Sequence, residues 1–578
     1  MRKLLSIGML LALAAAPMLA ASDAFFQSES LTYAAAAIAL LVAALLLLLI
    51  FRRAFRRRLR VPKTSNAGRL GIVKIFALDQ SRQLVVVRRD HVEHLVMIGG
   101  PNDLVIESDI VGAGGRDPVE IDENRLGEEE AEEKRFTPMR PQIKLAAKIF
   151  AGPGLFSLAL LSGIAGAGTG LICGFFRLAL EEADRLRIAV PVWWHAQPLL
   201  GCSLLVLGAA TAAAFSATLV RRFSEFAVGS GIPHVEAAIS GELPPAPFIL
   251  LPVKFAGGLL AIGAGLALGR EGPCVQMGAT LAHLLGKIFG RNSADCRSLL
   301  AAGAGAGLAA AFNAPLAGSA FVLEELIRQF ETRNAIAALG ASGSAILVAR
   351  LFTGPAPDFV VTTIPYPALS DNLLCLVLGV AAGLLGAGYN RVLLGALAIA
   401  DRFARWPVKV RAAIVGAAAG ALAWFAPGLA GGGDALTQHT LDGTEALALL
   451  PLIFMLRLVF GAASYAAGTP GGLFAPLLVL GAQMGFLFGA LFDPGAAGPA
   501  AHAAAFAVVG MAAFLTAVVR APLTGIILVT EMTDNSRLLL PMLAACFSAM
   551  AVATMLREPP IYDALKERTL ALWRKKPG

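Results

Sequence analysis

The chain has 578 residues, 57% of them hydrophobic and only 15% charged, against about 25% charged in a soluble domain, and its mean hydropathy is +0.70. Most of it belongs in lipid. The balance is basic, 48 Lys+Arg against 40 Asp+Glu, but Arg52-Arg53, Arg56-Arg57-Arg58 and Arg574-Lys575-Lys576 are juxtamembrane clusters, which argues for membrane topology and against nucleic acid.

Residues 1–21 read as a signal peptide: Arg2 and Lys3, an apolar core from Leu4 to Ala16, then Pro17 and small residues around Ala20-Ala21-Ser22. A retained first helix is the alternative. Residues 31–51 form a transmembrane helix of about the twenty residues that a bilayer requires. The arginines directly after it place the next segment in the cytoplasm.

Residues 66–112 change pattern. Leu84-Val85-Val86-Val87, Leu95-Val96-Met97-Ile98 and Leu104-Val105-Ile106 are short strand-like runs, broken by Arg88-Arg89-Asp90 and Gly99-Gly100-Pro101-Asn102-Asp103. This predicts a small soluble β-rich module. His91 and His94 lie three apart without a third ligand nearby, so they belong to a solvated strand face and no metal site is expected. The run from Val86 to Pro101 resembles the cytoplasmic domain of the FliO family, which also follows a single membrane helix and implies a flagellar export partner. Residues 113–142, with Glu128-Glu129-Glu130 and Glu132-Glu133, form an acidic linker.

The remainder, 143–578, is nearly continuous apolar sequence from Lys148 to Leu556, room for well over ten membrane helices if some are short or tilted. The six scattered cysteines have neither metal-ligand spacing nor a disulfide pattern and read as packing residues. Two segments repeat. Gly269 to Ala279 aligns with Gly472 to Ala482, sharing the glycine, the proline four later and a Gly-Ala pair. Gly303 to Glu324, with Asn313-Ala314-Pro315-Leu316, aligns with Gly510 to Glu531, with Arg520-Ala521-Pro522-Leu523. A duplicated unit with Gly/Pro-broken helices points to a transport site near the bilayer midplane.

Gly269-Arg270-Glu271-Gly272-Pro273 sets a glutamate inside this apolar region. A charge at bilayer depth costs about 2.5–3.5 kcal/mol on insertion scales, so it is read as part of an ion or proton pathway. Pro273 suits a helix start, which puts the Glu271 carboxylate at the positive end of a helix, where a small anion could stand. The structural alternative pairs Glu271 with Arg270. Gly229-Ser230-Gly231-Ile232-Pro233 is a second such turn, with a hydroxyl added, and Gly472-Leu473-Phe474-Ala475-Pro476 is a third, offering the amides of Leu473 and Phe474. Three helix N-termini converging on one anion replace its hydration shell without a full positive charge that would hold it too tightly.

Residues 145–570 carry these motifs as GSGIP, GREGP, GGLFAP and RAPLTG running into Glu531, and are similar to the CLC family of chloride channels and chloride/proton antiporters, in its bacterial form. The resemblance implies an all-α polytopic membrane protein of two inverted repeats, a homodimer with one pathway per subunit, in the cell inner membrane. It implies chloride binding by Ser230, Leu473, Phe474 and Tyr562, an external gate and proton acceptor at Glu271, and internal proton transfer at Glu325. Gly231, Ile232, Arg270, Gly272 and Lys254 would line the anion path, Lys254 by positive potential, with snorkelling as its alternative. Glu324 and its repeat mate Glu531 read as structural.

The family's channels generally lack a glutamate at the position of Glu325, so chloride/proton exchange is expected, ahead of a passive chloride channel or a membrane scaffold of a flagellar export apparatus. His234 and Ser240 fall near positions that are often acidic in bacterial relatives, which puts the detail of the cytoplasmic proton path in doubt. No nucleophile–base pair, phosphate loop or metal cluster appears, so neither enzymatic activity nor a cofactor is expected; chloride and protons are the cargo.

Overall fold

The computed structural model describes the backbone of residues 70–77, 83–89, 92–98 and 104–111, and residues 154–361, 369–492 and 499–574. The expected signal peptide, first membrane helix, acidic linker and His91 lie outside the described residues. The chain divides into two compact units, 1–138 and 139–578.

In the first unit β1 (Leu70–Ala77), β2 (Gln83–Arg89), β3 (Val92–Ile98) and β4 (Leu104–Val111) form an antiparallel sheet in sequence order. Arg89 pairs with Val92 and Val87 with His94 in the antiparallel register of β2 and β3.

The second unit is helical among its described residues. Its first half runs α1 (Leu155–Trp193), α2 (Pro198–Phe223), α3 (Ile232–Ile239), α4 (Leu250–Gly263), α5 (Glu271–Ile288), α6 (Ser293–Phe312), α7 (Pro315–Phe321) and α8 (Thr332–Thr353). The second half repeats the order as α9 (Leu369–Arg402), α10 (Val408–Phe425), α11 (Asp434–Leu441), α12 (Leu450–Ala466), α13 (Phe474–Phe492), α14 (Pro499–Val519), α15 (Pro522–Thr533) and α16 (Leu539–Met555), and α17 (Ile561–Arg574) comes last.

Among the described residues eight helices are long and apolar enough to cross a membrane, and three further apolar ones, 250–263, 522–533 and 539–555, are shorter. The count of full spans falls below what apolar length suggests because Gly/Pro turns cut the runs part-way. The eight-residue α3 starts at Gly231, which as N-cap has φ +87°, and its mate α11 starts at Gly433 with φ +103°. That left-handed backbone is open to glycine at little cost. Pro233 in the first turn of α3 loses no helical bond, since the first amides of a helix have no intrahelical partner.

Packing mirrors the duplication. A methyl group on Gly278 of α5 would run into the Gly303 carbonyl of α6, and one on Gly481 of α13 into the Gly510 carbonyl of α14. Small residues let both helix pairs approach backbone to backbone, the association mode favoured where lipid removes the hydrophobic drive. Of the apolar window of α14, 89% is buried, against 22% for α2, so α14 forms the centre and α2 the periphery.

The halves clasp each other reciprocally. Glu324 accepts from Leu523 N at 3.0 Å and Thr524 N at 2.7 Å, at the start of α15. Glu531, on α15, accepts from Leu316 N at 3.1 Å and Ala317 N at 2.8 Å, at the start of α7. Gly269 and Gly472 exchange both backbone hydrogen bonds, at 2.9 and 2.7 Å. Each contact has its mate with the halves interchanged, as an approximate two-fold relation requires. Glu324 and Glu531 satisfy helix amides that otherwise have no intrahelical partner.

Candidate functional site

The loop before α3 is held from both sides. Gly229 N donates to Thr469 O at 3.0 Å, and Gly471 N donates to Gly229 O at 3.1 Å, joining it to the loop before α13. Lys254 of α4 is fully buried and donates to Ala227 O at 3.1 Å and Gly229 O at 2.7 Å. It does not snorkel; its charge is spent on carbonyls inside the protein. Its repeat mate Arg457 of α12 does the same for the loop before α11, donating to Leu429, Gly431 and Gly432 carbonyls, each at 2.9 Å.

Ser230 is wholly buried and its Oγ has no hydrogen-bond partner in the protein, while its N–H lies 3.4 Å from the Tyr465 hydroxyl. Gly231 packs against the Gln276 side chain, and Ile232 is fully buried. A Cβ on Gly272 would meet Ser230 Oγ at 2.7 Å, so the serine hydroxyl lies against the first turn of α5.

Glu271 opens that turn. It is fully buried, its Oε1 accepts from Phe474 N at 2.7 Å, and its Oε2 has no partner. Added Cβ atoms on Gly269 and Gly472 would both collide with its carboxylate, so these glycines make room for it. Phe474 stacks on Tyr562, ring centroids 6.0 Å apart and planes 21° apart, and the buried Tyr562 hydroxyl has no partner. Leu473 is buried between Gly472 and Phe474, whose amides bond Gly269 O and Glu271.

Ser230, Gly272, Glu271, Phe474 and Tyr562 thus form one contiguous wall. A buried polar atom without a partner costs about 1–3 kcal/mol. Two hydroxyls of that kind beside helix N-termini form a donor set that suits a small anion.

Arg270 does not pair with Glu271. Its guanidinium reaches Asp434 and Asp358, each at 3.1 Å, and Nε donates to Ala311 O at 2.9 Å; Asp358 also binds Arg177 at 2.8 Å. Arg270 therefore braces the turn, with its charge balanced by two carboxylates. A cavity of about 370 Å³ lined by Arg177, Arg187, Arg270, Asp358 and Asp434 reaches Gly269 beside it.

Glu325 sits in a π-helical turn, Val322–Leu326, 3% exposed. Near it lies Glu236 of α3, 5% exposed, and Arg328 reaches both acids. His234 and Ser240, near positions that are often acidic in bacterial relatives, are not acids, and the buried acid beside Glu325 is Glu236, a residue that no sequence motif singled out. Its signal was present: an acid in an eight-residue apolar helix beginning at the GSGIP turn. His234 instead packs on Phe226 with the rings tilted, centroids 4.4 Å apart, and Ser240 Oγ donates to Glu236 O at 3.0 Å. Tyr465 and Arg457 were also missed, because an isolated Tyr or Arg in an apolar run carries no motif.

The profile of the family described as Voltage gated chloride channel matches residues 212–554. The H(+)/Cl(-) exchange transporter ClcA of Citrobacter koseri is 38% identical over 424 residues, covering 72% of this chain and 89% of that protein. The chain belongs to the voltage-gated chloride channel family. ClcA of Vibrio parahaemolyticus, another relative, is 38% identical over 434 residues, covering 72% of this chain and 90% of its own length. In structure this member of the family is similar to a slow cyanobacterial Cl-/H+ antiporter, with a TM-score of 0.68 and 33% identity over 72% of this chain and 98% of that one. It is also similar to a eukaryotic CLC transporter, with a TM-score of 0.61 and 25% identity over 71% of this chain and 73% of that one.

Proposed function

We propose that this chain is a multi-pass inner-membrane antiporter that exchanges chloride for protons. One observation carries the reading: the Glu271 carboxylate occupies the Phe474 amide at the start of α13, in the same wall as the unpartnered hydroxyls of Ser230 and Tyr562. An ionised Glu271 and a chloride compete for that amide. Protonated, Glu271 loses its claim as an anion, leaves the helix terminus and carries its proton away, and chloride takes its place. The turns at Ser230, Leu473 and Phe474 bind chloride through oriented dipoles, Tyr562 adds a hydroxyl, and Lys254 and Arg270 hold the turns in place. Gly231, Ile232 and Gly272 shape the path.

Glu325 passes protons between Glu271 and the cytoplasm. The two repeats are inverted in the membrane, and two copies form a homodimer with one pathway each. The relatives named above as exchangers and antiporters support exchange over passive conduction. The β sheet of residues 70–111 is proposed, on its resemblance to FliO alone, to dock on a flagellar export partner.

The test is reconstitution into liposomes with chloride and pH electrodes. An imposed chloride gradient is expected to drive protons uphill. Chloride flux without proton movement would make the protein a channel, and no flux at all would leave a scaffold.

A further inference from the structure

One nitrogen is shared by three carboxylates on three elements. Arg328 Nη2 lies 2.7 Å from Asp563 on α17, 3.6 Å from Glu236 on α3 and 3.8 Å from Glu325 in the π-helical turn. The Glu236 and Glu325 side chains are 6% and 4% exposed, whereas that of Arg328 is 48% exposed, so the cation covers two buried acids at the water boundary. Arg328 has φ +56°, a backbone conformation that is uncommon for a residue with a side chain. Its Nε donates to Glu325 O at 3.2 Å, which holds it there.

Each element carries something the proposed cycle uses. Asp563 is the residue directly after Tyr562, Glu236 lies in the helix that opens after Ser230, and Glu325 is the internal acid. Helix α17 packs on α3, with Leu570 against Ala237 and Leu243. Lys566 is the second cation there, 2.7 Å from Glu242 and 3.6 Å from Glu236. Glu324 faces away, onto Leu523 and Thr524.

We infer that Arg328 is a positioning residue that couples the charge of Glu325 to the hold on Tyr562 and Ser230, an inference that rests on the antiport reading. While Glu325 is ionised, three acids share the guanidinium and the Asp563 bond is weakened. When Glu325 takes a proton, Arg328 seats on Asp563 and Glu236, fastening α17 to α3 and keeping the two hydroxyls together on the chloride path. Proton arrival and chloride passage are then alternatives at the cytoplasmic end, through a rearrangement of one side chain whose two seats differ in electrostatic free energy.

The test measures both fluxes in liposomes for Arg328→Gln, Arg328→Lys, Asp563→Asn and Glu236→Gln. Arg328→Gln is expected to lower the protons moved per chloride about fivefold, the low end of typical coupling between sites, and to flatten the dependence of chloride flux on internal pH. Arg328→Lys restores most of both, and Asp563→Asn shifts both the same way. A wild-type ratio and pH profile in Arg328→Gln overturns the inference. Should that variant not fold, wild-type values in both Asp563→Asn and Glu236→Gln overturn it. A wild-type protein that moves no protons uphill overturns the antiport reading instead, so the two failures are told apart.

Discussion

Glu271 Oε1 lies 2.7 Å from the Phe474 amide, so the carboxylate that opens α5 of one repeat caps the start of α13 in the other. The two residues are 203 apart in the chain and are brought together by the double hydrogen bond between Gly269 and Gly472. Only the ionised carboxylate competes as an anion for that amide, so acid releases it. At fixed internal pH, chloride flux is expected to rise as external pH falls, and Glu271→Gln to hold it at its acid level across that external range. A flux that rises with pH, measured by chloride electrode, would contradict this sign.

Ser230 Oγ and the Tyr562 hydroxyl are buried without protein partners. If both donate to chloride, each bond to the charged ion is worth about 1.5–3 kcal/mol. Ser230→Ala and Tyr562→Phe should each weaken chloride binding about ten- to hundredfold by isothermal titration. Unchanged affinity in both would remove the hydroxyls from the site.

Lys254 and Arg457 perform the same task in the two repeats, but the loop Lys254 fastens carries Ser230. Lys254→Met and Arg457→Met each strand buried carbonyls, at about 1–3 kcal/mol apiece, and both should lower the unfolding temperature. Chloride affinity is expected to fall in Lys254→Met and to persist in Arg457→Met. Equal loss of affinity in both would show that the loops act through general stability.

Glu324 and Glu325 are neighbours with different surroundings. Glu324 accepts two amides of α15, and Glu325 is buried beside Arg328 and Glu236. Glu324→Ala and Glu531→Ala should each lose about 0.5–2 kcal/mol of stability, the range for a lost helix cap, with coupling intact. Glu325→Gln should keep its stability and lose proton transport. Reversed phenotypes, read by thermal unfolding and paired fluxes, would exchange their roles.

Much of the candidate site is legible in the sequence because its parts are backbone turns. Glycines and prolines mark helix starts at Ser230, Glu271 and Phe474, and the repeat of the Gly269 and Gly472 segments announced that two of them are equivalent. Side-chain partners chosen across the fold were not readable. Nothing local tells that Arg270 turns to Asp358 and Asp434, that Lys254 bonds Gly229 instead of reaching for the interface, or that Glu236 joins Glu325 under one arginine. Tyr562 entered by family likeness alone, since its stacking on Phe474 links residues far apart in sequence.

The most direct measurement of the central claim is paired chloride and proton flux in liposomes containing Glu271→Ala. With the carboxylate gone, chloride should run down its gradient through a Phe474 amide that nothing contests, and no proton should accompany it. Proton uptake that persists in this variant would contradict the claim that one titratable side chain and chloride compete for the same helix terminus.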